Sequence, residues 1–293
     1  MSNNFKILFI GDIVGRSGRN AVKRYLVEDG NNKNYDFIIA NAENASHGFG
    51  LTLKNHNELL DCGINCLTGG NHIFDKKDIF QYIDESNAVI RPYNYHKSVP
   101  GVGYREFDNI IVLNLLGKTF MPPIDCPFAA VEEFLPKFKN SSKIIFIDFH
   151  AEATAEKQSL ARYACSLGAN ALVGTHTHVQ TSDEQIFDNK LAYLTDAGFC
   201  GSKNGVIGME YETSLRRLST SLPERYEISE SPIAQINGVE VLIDRAKSTQ
   251  IKRINVTINN NNESGVNSEG RFPHTHLLFR WCIFSRKNCR LGN

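Results

Sequence analysis

The chain has 293 residues, enough for one sizeable α/β domain, and its 32 Lys plus Arg balance its 32 Asp plus Glu. A chain of zero formal net charge has no overall field to hold DNA or an anionic membrane as a standing partner, so any anion needs a local site. Seven scattered cysteines, several in apolar stretches as at Cys165 and Cys200, fit reduced core thiols; with no apolar run near the ~20 residues that span a bilayer and no cleavable signal pattern, a cytoplasmic protein is expected.

Apolar runs rich in Ile, Val, Leu and Phe predict buried strands over residues 5–10, 35–40, 64–67, 109–115, 143–149, 171–173 and 191–194. Helical spacing between them predicts amphipathic helices that carry Ala21, Tyr25 and Leu26; Leu53, Leu59 and Leu60; Ile79, Tyr82 and Ile83; Val131, Phe134 and Leu135; and Leu160, Tyr163, Ala164 and Leu167. Strand and helix alternate, which defines an α/β protein. Residues 239–243 and 251–258 alternate apolar with charged positions, predicting antiparallel strands with one solvated face that close a second sheet. Residues 259–293 change to an Asn-rich and then basic composition and are set apart from a domain of residues 1–258 as a disordered end or a tag remnant. His274 and His276 stand two apart there, but no strand leads into them and no carboxylate follows.

Five of the strands run into polar clusters. The first is followed by Gly11 and Asp12, then by Gly15, Arg16 and Gly18, whose backbone N–H groups and cation suit a phosphate. The second runs into Asn41, Glu43 and Asn44; a buried Glu43 needs a metal or a cation, and Arg16 and Lys54 are the cations near in sequence. The third leads to Gly69, Gly70, Asn71 and His72, the glycines permitting a tight turn. The fourth ends in His150 and Glu152, and the fifth in His176 and His178, which can face one ligand if the chain leaves regular pleating. Singly, each cluster has an ordinary structural reading, as a turn or as core histidines. Together, at five strand ends, they point to one shared site. Oxygen and imidazole donors without thiolate suit Fe, Mn or Zn. The candidates outnumber the ligands one ion accepts, so a two-metal centre is expected, with Glu43 the best-placed bridging carboxylate. Such a centre stays net positive and attracts an anionic phosphoester.

In this order the motifs resemble the metallophosphoesterase superfamily and, more narrowly, its YmdB-like 2′,3′-cyclic-nucleotide phosphodiesterases, over residues 5–258. The resemblance is carried by Gly11-Asp12-Ile13-Val14-Gly15-Arg16, Asn41-Ala42-Glu43-Asn44, Gly70-Asn71-His72, Asp148-Phe149-His150-Ala151-Glu152 and Gly174-Thr175-His176-Thr177-His178. Val14 stands where the superfamily usually has a ligand His, and Glu43 where an Asp usually bridges. Both departures are typical of the YmdB-like branch.

The resemblance implies a two-sheet α/β/β/α sandwich. It further implies one metal held by Asp12, Glu43, Asn44 and His178, a second held by Glu43, Asn71, His150 and His176, and His72 as the proton donor. The implied metal is iron, with manganese also supporting activity. The implied reaction opens 2′,3′-cyclic nucleotides to 3′-nucleotides: a metal-bridging hydroxide attacks in line and His72 protonates the departing ribose oxygen. Phosphomonoesterase and 3′,5′-cyclic nucleotide hydrolase activities stay open. So does a regulatory protein with an incidental metal site, although an unligated His72 argues against it. RNA ends are a further candidate substrate, and Arg91, Tyr93 and Tyr95 are candidates to touch a base or ribose. Arg216, Arg217 and the basic tail lend nucleic-acid binding only a small claim. Whether the chain forms a homo-oligomer is open.

Overall fold

In the computed structural model, which describes residues 4–244 and 249–260, alternate residues of strand β1 (Asn4–Ile10) enter different apolar clusters: Ile7 and Phe9 one, Leu8 and Ile10 another. A strand buried on both faces must be apolar throughout, and this is why its sequence reads as an unbroken run. Two such strands flank it in parallel on one side, β3 (Phe37–Asn41) and then β4 (Cys66–Thr68). On its other side lies β12 (Ile233–Asp244), antiparallel and paired in turn with β13 (Thr249–Asn259). Short strands β2 (Asp12–Ile13) and β11 (Phe199–Ser202) complete a 7-stranded sheet among the described residues. The hairpin expected to close a second sheet therefore extends the first.

The second sheet has the order β5 (Tyr104–Glu106), β6 (Ile110–Leu116), β7 (Ile144–His150), β8 (Ala171–Thr175), β10 (Leu191–Leu194) and β9 (Gln185–Phe187). Its middle strands β6, β7, β8 and β10 are parallel. Between the sheets, Ile7, Phe9 and Ile39 meet Val112, Phe146 and Val173, with the rings of Phe9 and Phe146 stacked at 5.3 Å. Helices α1 (Gly15–Lys23) and α2 (Leu53–Asp61) cover the outer face of the first sheet, where Ala21, Val22 and Leu59 join Leu8 and Ile38. Helices α3 (Pro127–Phe134) and α4 (Thr154–Ser166) cover the second through Val131, Phe134, Leu160 and Ala164. The layers are thus α/β/β/α. A fifth helix, α5 (Tyr211–Thr220), went unanticipated; its apolar residues Tyr211, Leu215 and Leu218 recur at helical spacing but stay exposed, and it buries Thr213 and Ser214 instead.

The helix expected around Ile79, Tyr82 and Ile83 is a short 3-10 turn, Lys77–Gln81, that still buries Ile79 and Ile83 completely. The Asp78 carboxylate, which accepts from Leu53 N at 2.6 Å, is spent on the start of α2. No helix among the described residues is long and apolar enough to cross a membrane. Residues 261–293, with His274 and His276, lie outside the described residues.

The parallel strands of both sheets finish at a common end, in register: Asn41 opposite Thr68, and His150 opposite Thr175. Close approach matters there. A Cβ on Gly174 would sit 1.9 Å from the Thr195 carbonyl oxygen. Gly174→Ala is therefore expected to lower stability by about 1–3 kcal/mol through overpacking, read as a shifted midpoint of denaturant unfolding; an unshifted midpoint would show that β8 and β10 separate freely.

Candidate metal centre

Each candidate residue is delivered by a strand end. Asp12 follows β1, Glu43 and Asn44 follow β3, Asn71 and His72 follow β4, His150 closes β7, and His176 and His178 follow β8. For His176 and His178 to turn inward from alternate positions, the pleat has to break, and both adopt positive φ, 103° and 62°. Such backbone is strained for side chains with a Cβ and persists only where surroundings hold it. Here the buried Asp196 carboxylate does so: it accepts from Thr177 N at 3.1 Å and Gly198 N at 2.9 Å, and from the buried Lys157 ammonium at 2.8 Å.

The side chains converge. His150 Nε2 lies 3.0 Å from each of Glu43 Oε1, Asn71 Oδ1 and His176 Nδ1. Glu43, His150 and His176 each offer a ligand atom within 4.8 Å of the others. Donors about 2.1 Å from one ion lie roughly 3.0–3.4 Å apart, so this spacing fits a shared cation. Around it, Asn44 Nδ2 stands 3.3 Å from both Glu43 Oε1 and His178 Nε2, and Asp12 Oδ1 lies 3.8 Å from His178 Nε2 and from His150 Nδ1. Glu43 thus touches both halves of the cluster. A half-turn of the Asn44 amide would present its oxygen in place of its nitrogen.

The charge balance also asks for cations. Asp12 is fully buried, and its Oδ1 has no hydrogen-bond partner among the described residues while Oδ2 accepts from His176 N at 3.2 Å. Burial pushes its carboxyl upward, against the pull of His178 and His150. Glu43 feels the same burial, yet the His150 imidazolium and its hydrogen bond bring it down to about 2. His150 is raised to about 9, burial being outweighed by Glu43. Burial and then the neighbouring His150 charge hold His176 neutral, down at about 3. A proton on His150 is doing what a metal ion would do. The countercharge expected from Arg16 or Lys54 comes instead from His150, since Arg16 pairs with Glu230 at the surface and Lys54 is exposed. The phosphate cradle expected at Gly15 and Gly18 is also occupied: their N–H groups donate to the carbonyls of Asn44 and Val14.

Supporting groups not foreseen from sequence set the imidazole tautomers. Thr175 Oγ1 donates to Asp148 Oδ1 at 2.7 Å, because a carboxylate only accepts; the hydroxyl has one proton, so it must accept from His150 Nδ1, 3.0 Å away. That leaves Nε2 facing the cluster. The buried Asp148 also accepts from Thr68 Oγ1 and from Asn41 Nδ2. Burial raises its carboxyl to about 7, against the pull of Thr68, His150 and Thr175, and the polarity just described is that of its ionised form. His178 is handled likewise: Nδ1 donates to the Ile207 carbonyl at 2.9 Å and the ring stacks on Phe199. An acid inside an otherwise apolar run was the available signal for Asp148. For Asp196 it was a carboxylate just beyond β10. Gly70 is required by crowding, since a Cβ there would lie 2.4 Å from Glu43 Oε2 and from the His150 ring.

His72 stands apart from the ligand cluster. Its N–H donates to Glu43 Oε2 at 2.9 Å, and its ring, 34% exposed, meets Asp75 Oδ2 through Nδ1 at 2.8 Å. Glu152, one residue beyond Ala151, reaches His176 Nε2 at 3.2 Å. Of the other cations considered, Arg216 chelates Glu224, and Arg217 lies over the Tyr226 ring.

A four-layer α/β/β/α sandwich with carboxylate, amide and imidazole groups gathered at one end of its strands is of the metallophosphoesterase type. A family model described as YmdB-like protein matches residues 8–254, and the chain belongs to that family. It is 42% identical over 255 residues to the 2′,3′-cyclic-nucleotide 2′-phosphodiesterase of Bacillus subtilis, covering 85% of this chain and 96% of that protein. Among solved structures it is similar to a Mycoplasma pneumoniae protein described as a novel phosphatase, with TM-score 0.81, 33% identity, and 88% of this chain and 95% of that one covered. A hypothetical protein from Thermus thermophilus matches with TM-score 0.80 and 32% identity over 87% of this chain and all (100%) of that one.

Two outcomes are expected. Cation binding at His150 Nε2 must expel the proton shared with Glu43, so affinity should climb by about one log unit per pH unit below the His150 value of about 9 and level off above it; calorimetry in buffers of differing ionisation heat reads the released proton. Thr175→Val removes the acceptor that orients His150 and should weaken cation binding about 10- to 100-fold, with Thr175→Ser restoring it. Equal affinity in both variants would dismiss the Asp148 arrangement.

Proposed function

We propose that this chain is a metal-dependent phosphodiesterase that opens 2′,3′-cyclic nucleotides to 3′-nucleotides. The observation that carries the reading is the convergence of Asp12, Glu43, Asn44, Asn71, His150, His176 and His178 at one point that holds two buried carboxylates. The 42% identity to the Bacillus subtilis 2′,3′-cyclic-nucleotide 2′-phosphodiesterase supports the substrate class. In this reading one cation is held by Asp12, Glu43, Asn44 and His178 and another by Glu43, Asn71, His150 and His176. Oxygen and imidazole donors suit iron, manganese or zinc, and the family resemblance favours iron, with manganese as a substitute. When bound, such ions neutralise charge on phosphoryl oxygens and acidify water toward a pKa of roughly 7.

The chain's own residues supply the rest. Glu43, touching both halves of the cluster, fixes their spacing, and through the N–H of His72 it also fixes where that histidine begins. Asp75 accepts the Nδ1 proton of His72, so Nε2 is the atom free to carry a second proton to the departing 2′ oxygen. Phe49, edge-on to the ring at 4.9 Å, limits its swing. The described cysteines are free thiols, which supports a reducing, cytoplasmic setting.

Assaying 2′,3′-cyclic AMP, 3′,5′-cyclic AMP and a phosphomonoester side by side with the metal-loaded chain should give 3′-AMP from the first at the highest kcat/KM. Preference for either of the others would replace this reading. His72→Ala should lower kcat by on the order of 10²-fold with cation content unchanged; undiminished turnover would remove His72 from proton transfer.

A further inference from the structure

On the side of β6 away from β7 lies a cavity of about 580 Å³, within the range of small-molecule sites. Tyr93, Tyr95 and Tyr104 line it, together with Cys126 and Ala129 at the start of α3. Two connections tie it to the candidate ligands. Asn94, also in the wall, donates to the Leu116 carbonyl at 2.7 Å and accepts from Leu116 N at 2.9 Å. Leu116 is the register partner of His150 but turns these groups away from β7, so this wall lies across β6 from a candidate ligand, about 10 Å or two strand spacings away. Tyr95 packs edge-on against Phe74, in the segment that follows His72, at 5.7 Å. Its phenol is pushed up to about 12, by burial first and then by the nearby Glu43 and Asp75 carboxylates. Tyr95 therefore lines the cavity within electrostatic reach of Glu43.

The lining chemistry favours a flat ring over a second phosphate. Arg91, the buried cation in the wall, gives its N–H groups to the carbonyls of Pro92, Val99 and Pro100 and has little left for an anion. Lys97 at the surface is offset by Asp125 and Glu133. What remains is aromatic surface from three tyrosines with polar groups around it. Such surface binds bases by stacking and discriminates little among them. We propose that this cavity seats the base and ribose of a nucleotide whose phosphodiester lies at the polar cluster. The inference rests on the nucleotide phosphodiesterase reading above.

Cys126 provides a readout independent of turnover. It is half-buried in the cavity wall, and against the effect of burial, N–H groups of Ala129 and Phe128 and the Lys118 charge lower its pKa, favouring alkylation. With 3′-AMP at about ten times its Kd, iodoacetamide labelling of Cys126, followed by peptide mass spectrometry, should slow on the order of 10-fold. Inorganic phosphate should give no such protection. Protection by neither, or by both alike, would overturn the proposal. In parallel, Ala129→Trp fills the cavity from an exposed helical position. Its kcat/KM for 2′,3′-cyclic AMP should fall on the order of 10-fold further than for the base-free diester bis(4-nitrophenyl) phosphate. Equal losses on the two diesters would also overturn it. Should the unsubstituted chain hydrolyse neither diester, the phosphodiesterase reading fails, and the labelling result alone decides whether the cavity holds a nucleotide.

Discussion

The contact between Glu43 and His150 is the interaction on which the rest depends. Two fully buried carboxylates, Asp12 and Glu43, cannot remain ionised in a sandwich interior without positive charge close by. A protonated His150 answers one of them, while Asp12 Oδ1 has no hydrogen-bond partner among the described residues. The fold therefore carries an electrostatic deficit at this one place, and the neighbouring donors are those that cations such as iron or manganese accept.

That deficit is sustained by groups that never face the ligand point. Asp148 organises Thr175, Thr68 and Asn41 around it, and so couples β8, β4 and β3 to the orientation of one imidazole on β7. Asp196, neutralised by Lys157 of α4, braces the backbone between His176 and His178. Both acids are buried and fully employed, and each binds one ligand-bearing segment to a layer of the sandwich. Rigid support of this kind keeps donor atoms a few ångströms apart without the help of an ion.

The clusters were legible because parallel strands covered on both faces are apolar throughout, so Asp12, Glu43, Asn71, His150 and His176 stand out where each run stops. Partnership across the fold was not. Arg16 and Lys54 are the cations near Glu43 in sequence, yet the countercharge comes from a histidine on the other sheet. The alternation at residues 239–243 marks one solvated side but carries no record of which strand lies beside it; pairing to β1 is set by tertiary packing. Strands β2, β5, β9 and β11 are too short for a periodic signal. Around Ile79 the helical spacing was real, but 3-10 turns satisfy it as well.

The pairing of β1 with β12 has a consequence for biogenesis. β1 leaves the ribosome well before β12, yet one of its edges is covered by that strand. Until that late segment emerges, the strand preceding Asp12 keeps an open hydrogen-bonding edge, as nascent chains with long-range β pairing do. Closure of the sheet, and with it the gathering of Asp12 with the groups that follow β3, β7 and β8, therefore waits for β12 to be made.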